Sequence, residues 1–344
     1  MGVVQYLRER RQLLLVVLVF YAVFFHIIYN YYWKQKPVVS PSGVQRILKS
    51  IWGRGNGTSN VYVVEKSVEV DVHVEHPVLG HTGEVTGGNH SAHIIRSDVT
   101  TIAIGGGITS KGVEGVTVDN IAIKFQLFYT FLPTFCDTAS PGYDYGFYFA
   151  YDFTDTMFTD AALLVAFQKT FASEMRRLCE EPRKIRASIH MVQCSHSGTP
   201  TRAQNDAMME AYLDDVDFYY RINDDTKMDT GGWVEAFIAV LDHYNPPRVG
   251  VVGPNHSGGN TAILTYDFVH RTHVNIFGFY YPRLFTDWFG DDWMTVVYQP
   301  DHSTKLSHIR LAHTLGLGQR YKVDMKIGQK LPGQLKHDTE VLKR

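Results

Sequence analysis

The stretch Phe218-Tyr-Tyr-Arg-Ile-Asn-Asp-Asp-Thr-Lys-Met228 decides how this chain is organised. Its first half is aromatic and β-branched, which favours a buried strand. Asn223, Asp224 and Asp225 follow where that strand ends, and ligands of open α/β sheets bind just beyond the carboxyl ends of strands. Adjacent carboxylates repel each other unless a cation such as Mg²⁺ or Mn²⁺ lies beside them. Asn-Asp-Asp-Thr is also good turn and helix-cap chemistry, so a simple turn is the competing interpretation.

An apolar strand followed by Asn-Asp-Asp resembles the Asp-X-Asp motif of metal-dependent GT-A glycosyltransferases. That resemblance implies a nucleotide-sugar donor, most simply a UDP-sugar, and a Mn²⁺ or Mg²⁺ ion that bridges its diphosphate. By position, Asp225 would bind the metal, Asn223 would approach the ribose, and Asp224 would belong to the donor site. Asn223 departs from the acid that is more common in the family at this position.

The residues before this stretch alternate between strand and helix patterns. Strands are predicted at 101–104, 143–151 and 185–192, and helices at 125–135 (broken near Pro133), 159–178 and 199–213. Such alternation predicts an α/β domain with a mostly parallel sheet covered on both faces, which resembles the Rossmann-like half of the GT-A fold. The glycine-rich segment 105–110 lacks the Lys-Ser/Thr ending of a P-loop and is interpreted as an ordinary turn after a strand. Further strands are predicted at 249–254 and 261–270.

The resemblance also implies donor contacts upstream of Asn-Asp-Asp. Thr109 and Asp152 follow the first two strands, where the family holds base and ribose. Arg202 and Asn205 lie in the first turns of the helix beside the diphosphate. From the residues alone, turn chemistry explains Asp152 equally well, and Arg202 could be a solvated helix residue.

A second acidic motif lies downstream, in Trp288-Phe-Gly-Asp-Asp-Trp293. Aromatic faces stack on sugar rings, so Trp288 and Trp293 are candidate acceptor contacts, and a carboxylate in a partly dry cleft suits a general base. The motif resembles the paired acids of inverting GT-A enzymes, which implies that Asp292 is the base and Asp291 its neighbour. Helix-terminus acids that complement the dipole are the structural alternative.

Many GT-A enzymes complete the metal shell with a downstream histidine, and the spacing of that family favours His313 here, with His308 next and His302 third. The residues after Asp324 are basic and polar, and we expect them to be extended.

The N-terminal third predicts a membrane-tethered protein. The uncharged interval 12–33 is about 33 Å long as a helix, enough to cross a hydrocarbon core of about 30 Å. Aromatic residues at its end, rather than a small-residue cleavage site, favour a type II signal anchor over a cleaved signal peptide. The predicted organisation is a cytoplasmic tail (1–11), anchor (12–33), stem (34–98), GT-A catalytic domain (99–324) and C-terminal tail (325–344). Sequons at Asn56, Asn89 and Asn255 fit a Golgi or ER lumen.

Composition narrows the function further. A formal charge of −2 without Lys/Arg runs excludes a typical nucleic-acid binder, and three cysteines allow at most one disulfide. The leading hypothesis is a glycosyltransferase acting on a glycan or glycoconjugate hydroxyl, with inversion. Retention is the alternative outcome, because the sequence does not fix which face of the sugar the acid meets. A metal-dependent phosphoesterase and a non-enzymatic membrane-tethered carbohydrate-binding protein are the alternatives.

Overall fold

The computed structural model describes residues 99–314, 321 and 323–343. Within these ranges no helix combines the length and hydrophobicity needed to span a bilayer. The predicted tail, anchor and stem, with the sequons at Asn56 and Asn89, lie outside the described residues. Asn255 is described and is exposed on a strand.

The described chain is an α/β domain whose elements follow one another closely. The strands are β1 (Thr101–Gly107), β2 (Asp144–Asp152), β3 (Arg186–Cys194), β4 (Phe218–Arg221), β5 (Thr226–Met228), β6 (Val251–Ser257), β7 (Phe268–His270) and β8 (Ser303–His313). The helices are α1 (Ile121–Lys124), α2 (Leu132–Thr138), α3 (Ala161–Met175), α4 (Glu181–Arg183), α5 (Pro200–Leu213), α6 (Trp233–His243), α7 (Thr272–Phe277), α8 (Gly290–Val297) and α9 (Leu331–Leu342). π-Helical turns occupy Leu127–Phe131 and Arg176–Glu180, and a 3₁₀ helix occupies Met325–Lys330.

All eight strands form one sheet in the order β3-β2-β1-β4-β7-β6-β8-β5. The first four are parallel, and β1 lies between β2 and β4, with Ile104 opposite Phe147 and Tyr220. Helical crossovers connect these strands, as parallel pairing requires. The sequence predicts this parallel half of the sheet. The last residues of its four strands lie at its carboxyl edge: Gly107, Asp152, Cys194 and Arg221.

The other half of the sheet is mixed, so the prediction of a mostly parallel sheet holds only in part. β7 pairs antiparallel with both β4 and β6, β8 is parallel to β6, and β5 is antiparallel to β8. The segment between β6 and β7 contains no helix. Without a helical crossover, consecutive strands pair most easily as antiparallel neighbours.

The two faces of the sheet bury two separate hydrophobic clusters. Phenylalanines of α2 and α3 and Trp233 of α6 cover one face, where edge-to-face ring pairs such as Phe135 on Phe147 are common. Small residues of α5 and the rings of α7 and α8 cover the other face. A disulfide joins Cys136 of α2 to Cys179, and Cys194 is a buried free thiol.

Four local predictions are corrected by the structure. The glycines after residue 104 belong to β1, and a Cβ on Gly105 would lie 1.9 Å from the Tyr148 carbonyl oxygen, so close strand packing demands glycine there. Pro133 does not end the helical segment: the π-helical turn Leu127–Phe131 runs directly into α2, and Pro133 lies where the hydrogen-bonding pattern changes from π to α. The segment 261–270 forms a strand only at Phe268–His270. The residues after Asp324 are helical rather than extended, because Leu335 and Asp338 pack against the core.

Candidate functional site

The Asn-Asp-Asp segment lies in the tight connection between β4 and β5. The Thr226 N–H closes the turn onto the Asn223 carbonyl oxygen at 3.2 Å. β5 then pairs antiparallel with β8, which places His313 directly opposite Thr226. The following residue, Thr314, donates its hydroxyl to the Asp225 carbonyl at 2.7 Å. The sheet itself therefore carries His313 to the predicted metal-binding acid.

The side chains of Asp225 and His313 meet at this point. His313 Nε2 lies 3.3 Å from Asp225 Oδ1 and 3.4 Å from Asn223 Nδ2. Asp225 is only 8% exposed. Of the other two candidate histidines, His308 is exposed on β8 and His302 stacks on the ring of Tyr244.

A buried arginine, Arg221, ends β4 two residues before Asn223. Arg221 donates to the Thr265 carbonyl at 2.5 Å. Burial acts to lower the pKa of its guanidinium, but the neighbouring Tyr281, Asp291 and Asp267 outweigh burial and raise it. Tyr266 is fully buried, and the pKa of its hydroxyl is lowered by the charge of Arg221 and raised by that of Asp225. Arg221 and Tyr266 thus link the surroundings of Asp225 to those of the second acidic motif.

Asp267 accepts hydrogen bonds from the hydroxyls of Tyr280 and Tyr281 within this buried layer. Burial raises the pKa of Asp267 to about 6, although the two tyrosine hydrogen bonds and the Arg221 charge oppose that shift. A charged network of this kind tolerates burial only when its members are paired. It holds the segment 280–281 against the carboxyl end of β4.

The paired acids Asp291 and Asp292 occupy the first turn of α8. The preceding Gly290 allows close approach to α5, since a Cβ there would lie 2.7 Å from Thr201 Cγ2. Asp291 Oδ1 accepts from the Asp292 N–H at 3.2 Å. Burial and the adjacent Asp291 raise the pKa of Asp292 to about 7. The carboxyl of Asp292 therefore takes up a proton near neutral pH.

The two tryptophans beside these acids have opposite environments. Trp288 is 44% exposed, and its indole N–H donates to the Tyr321 hydroxyl at 3.2 Å. Trp293 is fully buried, its indole N–H is bound to Asp338 at 2.9 Å, and its ring contacts Phe277 and other core rings. The structure therefore assigns Trp293 to the core and not to an acceptor surface, which corrects the prediction for that residue.

Asp155 ties together the loops that follow β1 and β2. It accepts from the Thr109 hydroxyl at 3.0 Å and from the N–H and hydroxyl of Ser110 at 2.7 and 2.6 Å. The N–H groups of Met157 and Phe158 complete its shell. Asp152 accepts from the Gly198 N–H at 2.7 Å, which fixes the β3–α5 loop beside it. Thr109, two residues beyond the end of β1, and Asp152, the last residue of β2, consequently lie at the same edge of the sheet.

The two predicted diphosphate contacts on α5 both have hydrogen-bond partners within the protein. Asn205 is 2% exposed, and its side-chain oxygen accepts from the N–H groups of Tyr280 and Tyr281 at 2.9 and 3.2 Å. Asn205 therefore joins α5 to the buried tyrosine layer and does not face the surface. Arg202 is partly exposed, with Nε donating to the Arg283 carbonyl at 3.1 Å. Asp224 is buried, which places its carboxylate below the surface that a donor would touch.

Sequence reasoning missed four residues that organise the site. These are Arg221, Asp155, Tyr266 and Asp267. Arg221 carried a signal, since it is the one charged residue within an apolar strand, and such a residue needs a buried partner. Asp155 carried a weaker one, as a second acid three residues after Asp152. The pairing of Tyr266 and Asp267 with distant partners had no local signal.

Comparisons with known proteins give little further information. No family model matches the chain, and no curated protein matches it significantly. Among solved structures, the chain is similar to the crystal structure of S. aureus TarS 1-349, with 12% identity and a TM-score of 0.44, over 70% of this chain and 65% of that chain. A longer TarS structure gives 11% identity and a TM-score of 0.43, over 71% of this chain and 42% of that one. Likeness at this level does not indicate a function for this chain.

Proposed function

We propose that this chain is a GT-A glycosyltransferase that transfers a sugar from a nucleotide diphosphate to a glycan hydroxyl. The observation that carries the proposal is the meeting of Asp225 and His313 beyond the carboxyl edge of the sheet. Asp225 and His313 are 88 positions apart in sequence (313 − 225), yet their side chains lie 3.3 Å apart. Asn223, which is 90 positions from His313, contacts the same imidazole. The order of elements adds support, because the parallel half of the sheet ends in polar loops suited to a nucleotide.

The donor atoms at this point fit a hexacoordinate Mn²⁺ or Mg²⁺. Ligands about 2.1 Å from an octahedral ion and at right angles to each other lie about 3.0 Å apart, and the Asp225–His313 separation is 3.3 Å. A carboxylate with an imidazole suits Mn²⁺ better than Mg²⁺. Two protein ligands leave positions for substrate phosphates, and when bound the ion would neutralise the leaving diphosphate.

Asp292 is the proposed general base. A base that operates near neutral pH is most effective with a pKa close to that pH, and the pKa of Asp292 is raised to about 7. Its carboxylate would accept the proton of the acceptor hydroxyl as that oxygen attacks the sugar carbon from the face opposite the diphosphate, which gives inversion. Asp291 would act as a positioning residue, because its charge raises the pKa of Asp292.

The remaining roles follow from position. Trp288 offers an exposed indole face beside the acid pair, which suits stacking against an acceptor sugar. Thr109 and Asp152, tied by Asp155 and the β3–α5 loop, would hold the nucleoside end of a UDP-sugar. Asn223 would approach the ribose, and Arg202 remains the proposed diphosphate contact on α5.

The proposed location is a Golgi or ER lumen, with the chain anchored through residues 12–33. The Cys136–Cys179 disulfide supports an oxidising compartment. Exposure of the Asn255 sequon is compatible with glycosylation there.

The test is hydrolysis and transfer from a panel of nucleotide sugars by the full-length chain in detergent, with and without Mn²⁺. Asp225→Asn and His313→Ala should each lower metal-dependent turnover by about 10²-fold or more, since a metal ion supplies several kcal/mol of transition-state stabilisation. Asp229→Asn and His308→Ala are matched controls, because both residues are exposed and close in sequence to the proposed ligands. Both controls should retain turnover.

Three results would contradict the proposal. Turnover unaffected by Asp225→Asn across a Mn²⁺ titration would remove this site from catalysis. Release of inorganic phosphate from simple esters, with no sugar transfer, would indicate a phosphoesterase. Glycan binding independent of nucleotide and metal, without turnover, would indicate a carbohydrate-binding protein.

A further inference from the structure

Three side chains with metal-ligating atoms converge at the connection between β3 and α5. Cys194 is the last residue of β3, His196 lies in the loop, and Asp206 is in the second turn of α5. One ligand atom from each lies within 4.8 Å of the other two. The group is separate from Asp225 and His313 and has no part in the proposed transfer reaction.

The hydrogen bonds of His196 exclude one explanation for this group. A Cys-His-Asp nucleophile needs an imidazole nitrogen that takes the thiol proton. Here Nε2 of His196 lies 2.9 Å from Asp206 Oδ2, and Nδ1 lies 2.6 Å from the Thr199 hydroxyl. Both ring nitrogens already have partners, and the thiol of Cys194 is directed at Asp206. The arrangement does not activate a nucleophile.

The same bonds form the outer support that a metal site requires. Metal-binding histidines almost always use the second ring nitrogen in a hydrogen bond that fixes the tautomer and the ring orientation. Thr199 provides that bond to Nδ1 of His196 and leaves Nε2 directed at Asp206. The Asn205 amide donates to the other oxygen of Asp206 at 3.4 Å.

We propose that Cys194, His196 and Asp206 bind a zinc ion, with water as the fourth ligand. A thiolate, an imidazole and a carboxylate form a borderline-soft set that favours Zn²⁺ over Mg²⁺ or Mn²⁺. Tetrahedral ligands at zinc distances lie roughly 3.4 to 3.8 Å apart. His196 Nε2 and Asp206 Oδ2, which lie 2.9 Å apart, would separate slightly, and the three ligand atoms already lie within 4.8 Å of one another. Binding releases the Cys194 thiol proton to solvent. Cys194 is 2% exposed, while His196 and Asp206 are partly exposed and give the ion a path inward.

The site would stabilise the loop between β3 and α5. Within this loop the Ser197 hydroxyl and the Gly198 N–H donate to Asp152 at 3.1 and 2.7 Å. Zinc held by residues on both sides of Ser197 and Gly198 would limit opening of the loop and would keep Asp152 in place. The role is structural and does not depend on the proposed glycosyl transfer.

Cobalt substitution of the full-length chain in detergent tests the proposal directly. The chain has three cysteines, of which Cys136 and Cys179 form the disulfide, so Cys194 is the only thiol that can bind a metal. One equivalent of Co²⁺ should therefore produce a near-ultraviolet thiolate-to-metal charge-transfer band, which Zn²⁺ should abolish. Excess Zn²⁺, at about 100 times its dissociation constant, should raise the thermal unfolding midpoint by about 5 to 10 °C.

The variants separate a zinc site from an ordinary histidine–aspartate pair. Cys194→Ser and Asp206→Asn should lose the band and bound zinc, with no zinc-dependent rise in midpoint. His190→Gln is the matched control, because His190 also lies on β3 and pairs with an aspartate, Asp214, at 3.6 Å; it should behave as wild type. Should Cys194→Ser fail to fold, the wild-type cobalt spectrum still decides. A wild-type chain without the band or the midpoint shift, or Asp206→Asn with unchanged zinc content, would overturn the proposal.

Discussion

Asp292→Asn should make the folded protein more stable at pH 8 while it abolishes the proposed base. The carboxyl of Asp292 is partly buried in the first turn of α8, next to Asp291. Its charged form is therefore unfavourable in the native state. Asparagine is nearly isosteric and never carries that charge.

The size of the effect follows from the pKa. Burial and Asp291 raise the pKa of Asp292 from 3.8 to about 7, and the unfolded chain has the ordinary value. Between these two values the native state binds more protons than the unfolded state, so the free energy of unfolding falls as pH rises through about 7. A shift of about three units corresponds to at most ~4 kcal/mol. Partial exposure of the side chain reduces the expected gain at pH 8 to about 1–3 kcal/mol.

Urea unfolding followed by tryptophan fluorescence at pH 4.5 and pH 8 measures this effect. The stability of Asp292→Asn relative to wild type should increase from the lower to the higher pH. Asp291→Asn should show part of the same trend, because it removes the repulsive neighbour. Glu114→Gln, an exposed acid remote from α8 in sequence, should show none. A difference between Asp292→Asn and wild type that is independent of pH, or that shrinks as pH rises, would refute the reasoning.

Three further predictions concern the surrounding residues. Trp288→Ala should raise the acceptor KM with little change in donor binding or stability. Trp293→Ala should instead cost about 3–5 kcal/mol of stability, because it removes a fully buried ring. If the two variants changed the acceptor KM and the free energy of unfolding by equal amounts, this contrast would be contradicted. Asp155→Ala should lower stability by several kcal/mol, because it removes the acceptor of the part-buried Ser110 N–H and of the buried Met157 and Phe158 N–H groups. It should also weaken nucleotide binding in calorimetry, and unchanged values for both would exclude its role in joining the loops. The kcat/KM of the wild type should fall below an apparent pKa of about 7, since the proposed base must be ionised, and a plateau that extends to pH 5 would contradict that base.

Local pattern was sufficient for the parallel half of the sheet and for the positions of its acids. Aromatic and β-branched runs predict β2 and β4, and the apolar stripe of α3 predicts a helix, because their periods depend on neighbouring residues in the chain. Asn223 and Asp225 follow β4 directly, so their place at the carboxyl edge needed only the strand. The choice of His313 came from the spacing of the resembled family.

Other features depended on residues far apart in sequence. Trp288 and Trp293 look alike in the motif, yet the first is exposed and the second is buried against Asp338 of α9. The sequence of α9 contains leucines at helical spacing, Leu331, Leu335 and Leu342, but the polar residues between them made the segment look extended. The hydrogen bond between Asp338 and Trp293, which fixes α9 against the core, is visible only in the tertiary structure. Asn205 is similarly a residue type that often contacts ligands, yet its side-chain oxygen accepts from the backbone N–H groups of Tyr280 and Tyr281.

The sequence by itself determined which residues form the acidic clusters and the strand that carries one of them. Tertiary structure decided which of those residues are buried, which acid has a raised pKa, and which histidine meets Asp225. The physical reason is that burial and electrostatic environment are set by the elements packed around a residue. The antiparallel pairing of β5 with β8, which brings His313 to Asp225, joins segments almost ninety residues apart and leaves no periodic signal in either one.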